Sequence, residues 1–234
     1  MARLYGEPGA WLKRRLRIGL ITTIVLLIFL LAVSAITWRL TGLFSAEAIL
    51  LLAMSMLFVL LVLTSLLVYP SYKGIAGERR VAEELSKLPD EYAVFFNVPL
   101  GRLDADAVAV GPTGVYAIEV KNWGNCVLTP LRSGRWLRTP RHAPLAYGTP
   151  YEVRSPTRQA KAAAARLHEI TGRWVHAVVA LPETAEFPPS HEGVKILPFS
   201  GLRDYILGRE RALSRREAEE VEEKIIGYLR GRAD

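Results

Sequence analysis

The sequence predicts a mixed α/β domain with a central sheet, preceded by a two-helix transmembrane hairpin. Three observations lead to this. Two long stretches near the N-terminus carry no charge. The middle of the chain holds apolar runs that do not alternate with polar residues. Helix-start signals stand on both sides of those runs. Half of the 234 residues are hydrophobic, and the excess over an average soluble domain is concentrated at the N-terminal end.

The first seventeen residues are basic, with Lys13, Arg14, Arg15 and Arg17 close together. "IGLITTIVLLIFLLAVSAITW" (18–38) and "AILLLAMSMLFVLLVLTSLLVY" (48–69) then follow, both free of charge. At 1.5 Å per residue each is about 30 Å long as a helix, the thickness of a bilayer's hydrocarbon core. The first is too long for a signal peptide, and a second span follows at once. Trp38 and Tyr69 stand at span ends, where amphipathic rings favour the membrane interface. The short turn between the spans offers Ser45 as an N-cap. Basic residues flank the hairpin on its outer sides, so the positive-inside rule puts both termini and the following domain in the cytoplasm. The boundaries expected are 1–17 for the basic N-terminus, 18–70 for the hairpin, 71–200 for the main domain and 201–234 for a C-terminal helical segment.

Within that domain, "GIAGERRVAEELSKL" (74–88) reads as an amphipathic helix with Val81, Leu85 and Leu88 on one face. Pro89-Asp90 ends it, and "YAVFFNV" is a strand. "DADAVAV" and "GVYAIEV" follow, joined by the turn Gly111-Pro112-Thr113-Gly114. Both are apolar at odd and even positions, as strands covered on both faces must be. Short strands are expected at 125–129 and 134–138, and a loop over 139–151. Ser155 and Pro156 open a helix that Gly172 stops. "WVHAVVAL" and "GVKILPF" are further strands, and the capping box Ser214-x-x-Glu217 starts a last helix that runs to about Arg230.

One feature conflicts with burial: Glu119 and Lys121 sit two apart in an otherwise apolar strand. With Val110 paired to Val115 across the turn, Asp106 stands opposite Glu119 and Asp104 opposite Lys121. Opposed Cβ atoms in such a pair are about 4.5–5.5 Å apart. Two carboxylates that close repel one another, and burial makes the repulsion worse. A divalent cation between them removes the conflict. Oxygen-only ligands plus water suit Mg²⁺ or Mn²⁺, and Lys121 would orient a water or neutralise charge on a phosphate. These roles describe phosphodiester hydrolysis. The same four residues would also serve as an ordinary cross-strand ion-pair cluster.

"GERRVAEEL", "DADAVAVGPTGVYAIEVKNWG" and "SPTRQA" together resemble the NERD domain, a nuclease-related branch of the PD-(D/E)xK superfamily. The resemblance covers about Gly74 to Ala180. It implies a restriction-endonuclease-like fold, with a mixed central sheet flanked by helices, and Mg²⁺-dependent cleavage of nucleic acid, DNA or RNA. It places the site on Glu78, Asp106, Glu119, Lys121 and Gln159, with Glu78, Asp106 and Glu119 as metal ligands and Asp104 as an alternative ligand. Ser155 stands where the family has Asn, keeping the cap while changing the side chain.

Arg132, Arg135, Arg138 and Arg141 surround Trp136, a pattern suited to phosphate contact and base stacking, or to anionic lipid. Arg158 joins these nucleic-acid contact candidates. Cys126 is the only cysteine, which excludes an internal disulfide and any multi-cysteine zinc site. His142, His168, His176 and His191 show no ligand spacing. The functional expectation is a membrane-anchored, metal-dependent nuclease. Two alternatives stay open: a nucleic-acid-binding module that does not cut, and a membrane-assembly role in which the hairpin oligomerises through small residues such as Ala32 and Ala35.

Overall fold

The computed structural model describes residues 1–41, 46–141 and 149–231. In chain order, β1 (Arg3–Tyr5) precedes two long helices, α1 (Ala10–Thr41) and α2 (Ala46–Ser86). Then come β2 (Ala93–Pro99), β3 (Asp104–Gly111), β4 (Gly114–Val120), β5 (Cys126–Pro130), β6 (Trp136–Pro140) and β7 (Tyr151–Val153). The chain continues as α3 (Pro156–Thr171), β8 (Val175–Leu181), β9 (Ala185–Glu186), β10 (Ser190–His191), β11 (Val194–Pro198), α4 (Leu202–Leu207) and α5 (Arg215–Arg230). Ser45 and His142 lie outside the described residues.

The chain forms two compact units. One is Ala10–Ile75; the other joins Met1–Gly9 to the chain from Ala76 onward. In the first unit, the stretch Leu12–Val33 is long and apolar enough to cross a membrane, by length and composition, and it is the only such stretch among the described residues. The expected second span, 48–69, falls on the first half of α2. The helix expected to begin at residue 74 is a correction: it is the last part of α2. Gly74 and Gly77 both keep helical backbone, so neither ends the helix.

In the second unit a seven-stranded mixed sheet runs in the order β1-β2-β3-β4-β8-β11-β10. β2, β3 and β4 form an antiparallel meander, while β4–β8 and β8–β11 pair in parallel. Every residue of β4 is buried, which explains its lack of alternation. One face of the sheet packs against Val81, Leu85 and Leu88 of α2 and against Leu202 and Ile206 of α4. The other packs against Ala163 and Leu167 of α3 and Val221 and Ile225 of α5. Helices on both faces of a mixed sheet fit the expected nuclease-like class.

The local signals produced the elements they predict. Ser155 caps α3 by accepting from the Arg158 N–H, Pro156 stands in its first turn, and Gly172 closes it in the left-handed conformation. Both bonds of the Ser214–Glu217 capping box are present on α5. The short strands at 126–130 and 136–140 belong to a separate four-stranded sheet, β7-β6-β5-β9. The basic N-terminus expected over 1–17 is divided. Arg3–Tyr5 adds to the large sheet, parallel to β2, and α1 begins at Ala10.

Candidate active site

Glu119 and Lys121 stand at the C-terminal end of β4. Glu119 is 5% exposed and pairs with Val179 of β8. Lys121, one residue past the strand, extends that ladder with its N–H donating to the Ala180 carbonyl at 3.0 Å. The hairpin register is the predicted one, from Gly111↔Gly114 through Val110↔Val115 to Ala107↔Ile118. One step further, where Asp106 would face Glu119, the ladder opens. Asp106 Oδ2 instead accepts the backbone N–H of Val120 at 2.7 Å.

The ladder on the other side of β3 is broken at the same point. Phe96↔Ala107 and Val98↔Ala105 are in register, which leaves Asn97 opposite Asp106. Asn97 takes a left-handed φ of 52° there, a conformation asparagine tolerates better than most residues. Asp106 therefore sits where both neighbouring strands depart from regular pairing. Side chains gain room at such a break, and backbone donors are left for them to use.

Glu78 reaches this point from α2. A Cβ on Gly77 would lie 2.7 Å from the Asn122 Cβ, so only glycine lets the helix come this close to the chain after Lys121. Glu78 is 9% exposed, and its Oε2 accepts the N–H of Gly9 at 2.6 Å.

The electrostatics tie these residues together. Burial, followed by the charge of Asp106, pushes the Glu119 carboxyl up to about 7. Burial and then Asp106 do the same for Glu78, also to about 7. Burial raises Asp106 too, against the pull of Lys121 and the Val120 N–H. Burial works against the Lys121 ammonium, but Glu119, Asp106 and Glu78 outweigh it and raise its pKa. The Lys121 Nζ lies 2.5 Å from Glu119 Oε1. One ammonium thus serves three mutually repelling acids, a set that when fully ionised is two positive charges short of neutrality.

The other sequence candidates fare differently. Asp104 is exposed and pairs with Pro99 of β2, not with Lys121, although its charge raises Asp106. The Gln159 amide donates to the Ser155 carbonyl at 3.2 Å, so it turns back on its own helix. Trp136 is a correction. It is 1% exposed, inside a small core with Cys126, Leu128, Val179 and Ile196, and it meets His191 edge-on. An indole packed this way offers no free face for a base. Arg135 pairs with Glu152 at 2.6 Å, Arg141 pairs with Glu186, and Arg138 lies over the Tyr151 ring at 5.5 Å. Arg158 stands 3.9 Å from Glu192, and Arg132 is exposed.

Sequence reasoning missed Gly9 and Asn97. The turn-forming "GEPG" at 6–9, directly after an alternating triplet, was the only local signal for the first.

Glu78, Asp106, Glu119, Lys121 and Gln159 all fall within one stretch that a known family accounts for. Residues 73–182 match the nuclease-related domain, NERD. The NERD stretch runs from late α2 to the end of β8 and leaves out β1, α1, β9, β10, β11, α4 and α5. An uncharacterized protein of Bacillus anthracis is 34% identical over 73 residues, which cover 29% of this chain and 34% of that relative. No solved structure matches the chain.

Proposed function

We propose that this protein is a membrane-anchored, divalent-metal-dependent nuclease that hydrolyses phosphodiester bonds of DNA at the cytoplasmic face. The observation that carries the reading is the meeting of two buried acids, Glu78 and Glu119, and the half-buried Asp106 around Lys121 within the NERD stretch. Buried like charges raise one another's pKa and destabilise the fold, so a site that keeps them has a use for them.

A divalent ion fits this donor set. Among the described residues no three Asp, Glu, His or Cys side chains form a ready-made cage. Mg²⁺ does not require one, since it is usually held by one or two carboxylates with waters and substrate phosphate completing the shell. Asp106 and Glu119 would hold it, each having a second oxygen beyond the bonds to Val120 and Lys121. When bound, Mg²⁺ or Mn²⁺ supplies Lewis-acid charge neutralisation and a more acidic water. Lys121, kept cationic by its acidic neighbours, would donate to a phosphate oxygen as negative charge builds there. Glu78 would help hold the ion through the attacking water, orienting that water and accepting its proton.

Anchoring is supported by outward-facing apolar residues on both helices of the N-terminal unit. Ile21, Ile28 and Phe29 on α1 and Met54, Leu57 and Phe58 on α2 are all exposed. Two spans, with the basic flanks cytoplasmic, satisfy the positive-inside rule.

Full-length protein in detergent should cut plasmid or single-stranded DNA with Mg²⁺ or Mn²⁺ and lose all activity in EDTA. Salt-sensitive DNA binding without cleavage at any divalent-metal concentration would instead establish a silent binding scaffold.

A further inference from the structure

Residues 1–9 lie outside the NERD stretch and precede the apolar helix, yet they are fixed to the site by contacts along their length. Arg3–Tyr5 pairs in parallel with Ala93–Phe95 of β2. Its outer end is held by Glu222 of α5, which is 7% exposed. One Glu222 oxygen takes the Arg3 guanidinium at 2.5 Å and the other takes the Tyr5 hydroxyl at 2.7 Å. The Tyr5 ring stacks on Phe95 with centroids 4.7 Å apart.

The segment then turns along β2 toward the acids. Gly6, at φ +78°, presses so close to the strand that a Cβ would stand 2.8 Å from the Phe96 carbonyl oxygen. The Glu7 carbonyl accepts from the Asn97 side chain at 2.5 Å, and the Asn97 side chain also hydrogen-bonds Glu78. The Gly9 N–H donates to Glu78 Oε2 at 2.6 Å, a buried bond. A backbone donor on a buried carboxylate is a strong, charge-assisted partner. Glu78 needs one. The charge of Asp106 repels it, so an untethered carboxylate would rotate away from the other acids.

We infer that Met1–Gly9 is a strap that completes the catalytic site, with the Gly9 N–H and Asn97 acting as positioning groups for Glu78. For the chemistry this rests on the reading proposed above. Since α1 starts at Ala10, the site is built from chain on both sides of the first apolar helix. A chain beginning after the apolar stretches would keep every NERD residue and still lack the strap.

The test uses the full-length protein and lifts the strap from a position outside the acid cluster. Gly6→Val forces a branched side chain into a left-handed position against β2, and Gly6→Ala is the milder form. DNA cleavage and Mn²⁺ titration are measured for the wild type, both variants, Glu78→Gln and the Gly6→Val/Glu78→Gln double variant. Circular dichroism and a thermal melt report folding. Expected is a loss of about 10–100-fold in kcat and in Mn²⁺ affinity for Gly6→Val, the range for groups that orient metal ligands, with little change in KM for DNA. Gly6→Ala should lose less in the same direction. In the Glu78→Gln background the Gly6→Val change should add less than about twofold, because coupled groups act non-additively.

A Gly6→Val protein equal to wild type overturns the strap. So does a loss of the same size with and without Glu78, which would mean general destabilisation. Should the wild type bind Mn²⁺ without cutting DNA, the nuclease reading falls, and the Mn²⁺ series alone decides the strap. Absence of Mn²⁺ binding by the wild type sinks both.

Discussion

The end of β4 and the β5–β6 hairpin are both rich in charge, and they treat it in opposite ways. At β4 three acids share a buried corner with one lysine, and their carboxyls are pushed toward neutrality. On the hairpin Arg135 and Arg141 each have a glutamate of their own, and both partners are about half exposed. Exposed pairs of that kind contribute roughly 0–1 kcal/mol and are screened by salt. The largely buried set is screened much less and is not neutralised from within. Charge density alone therefore does not mark a site; charge left uncompensated under burial does.

The largest expected effect separates the two regions by activity. Glu119→Gln and Lys121→Met should each lower cleavage by about 10²–10³-fold, the size seen when a preorganised electrostatic group is removed. An initial-rate assay on labelled DNA measures this. Retention of more than a tenth of the wild-type rate by either would make the β4 corner a structural ion-pair cluster like the hairpin's.

Stability against pH gives a smaller effect with a definite sign. Glu78 has an ordinary value of 4.5 and is raised to about 7 by burial and then by Asp106. An acid raised in the folded state favours folding only while protonated. Its contribution is complete below about 4.5 and is lost as pH rises through about 7. Glu78→Gln keeps an acceptor for the Gly9 N–H while removing the charge. It should melt about 2–4 °C above wild type at pH 8, the shift that roughly 1 kcal/mol makes in a domain of this size, and close to wild type at pH 4.5. A variant less stable at pH 8 would show that the charged form is already compensated.

The smallest effect belongs to the hairpin. Arg135→Ala and Arg141→Ala should each change stability by no more than about 0.5 kcal/mol. Their cleavage rates should stay within about twofold of wild type, since solvent-exposed pairs of this kind contribute little. A uniform loss of DNA affinity that deepens as salt falls would restore these arginines as phosphate contacts.

The parts of the molecule legible in the sequence were those written in short spans of it. The Gly111–Gly114 turn set the hairpin register as far as Ala107 and Ile118, because a four-residue turn leaves the two strands little freedom to slip. Ser155 and the Ser214–Glu217 box opened their helices and Gly172 closed α3 as expected, each acting within four residues of itself. The unalternating apolar runs announced strands covered on both faces.

What the tertiary structure decided depends on partners far apart in the chain. Trp136 reads as a stacking residue among arginines until Val179 and Ile196 are brought against it. Gln159 reads as a site amide until the Ser155 carbonyl claims it. The bond from Gly9 to Glu78 joins residues 69 positions apart across two long helices. A local pattern carries propensity and register because those are settled among neighbours. Which distant surface closes over a side chain is settled only when the whole core packs. The sequence by itself thus determined which residues are acidic, where the strands run and how two of them align. Folding determined which acids lose their water, and that loss is the main cause of their raised pKa.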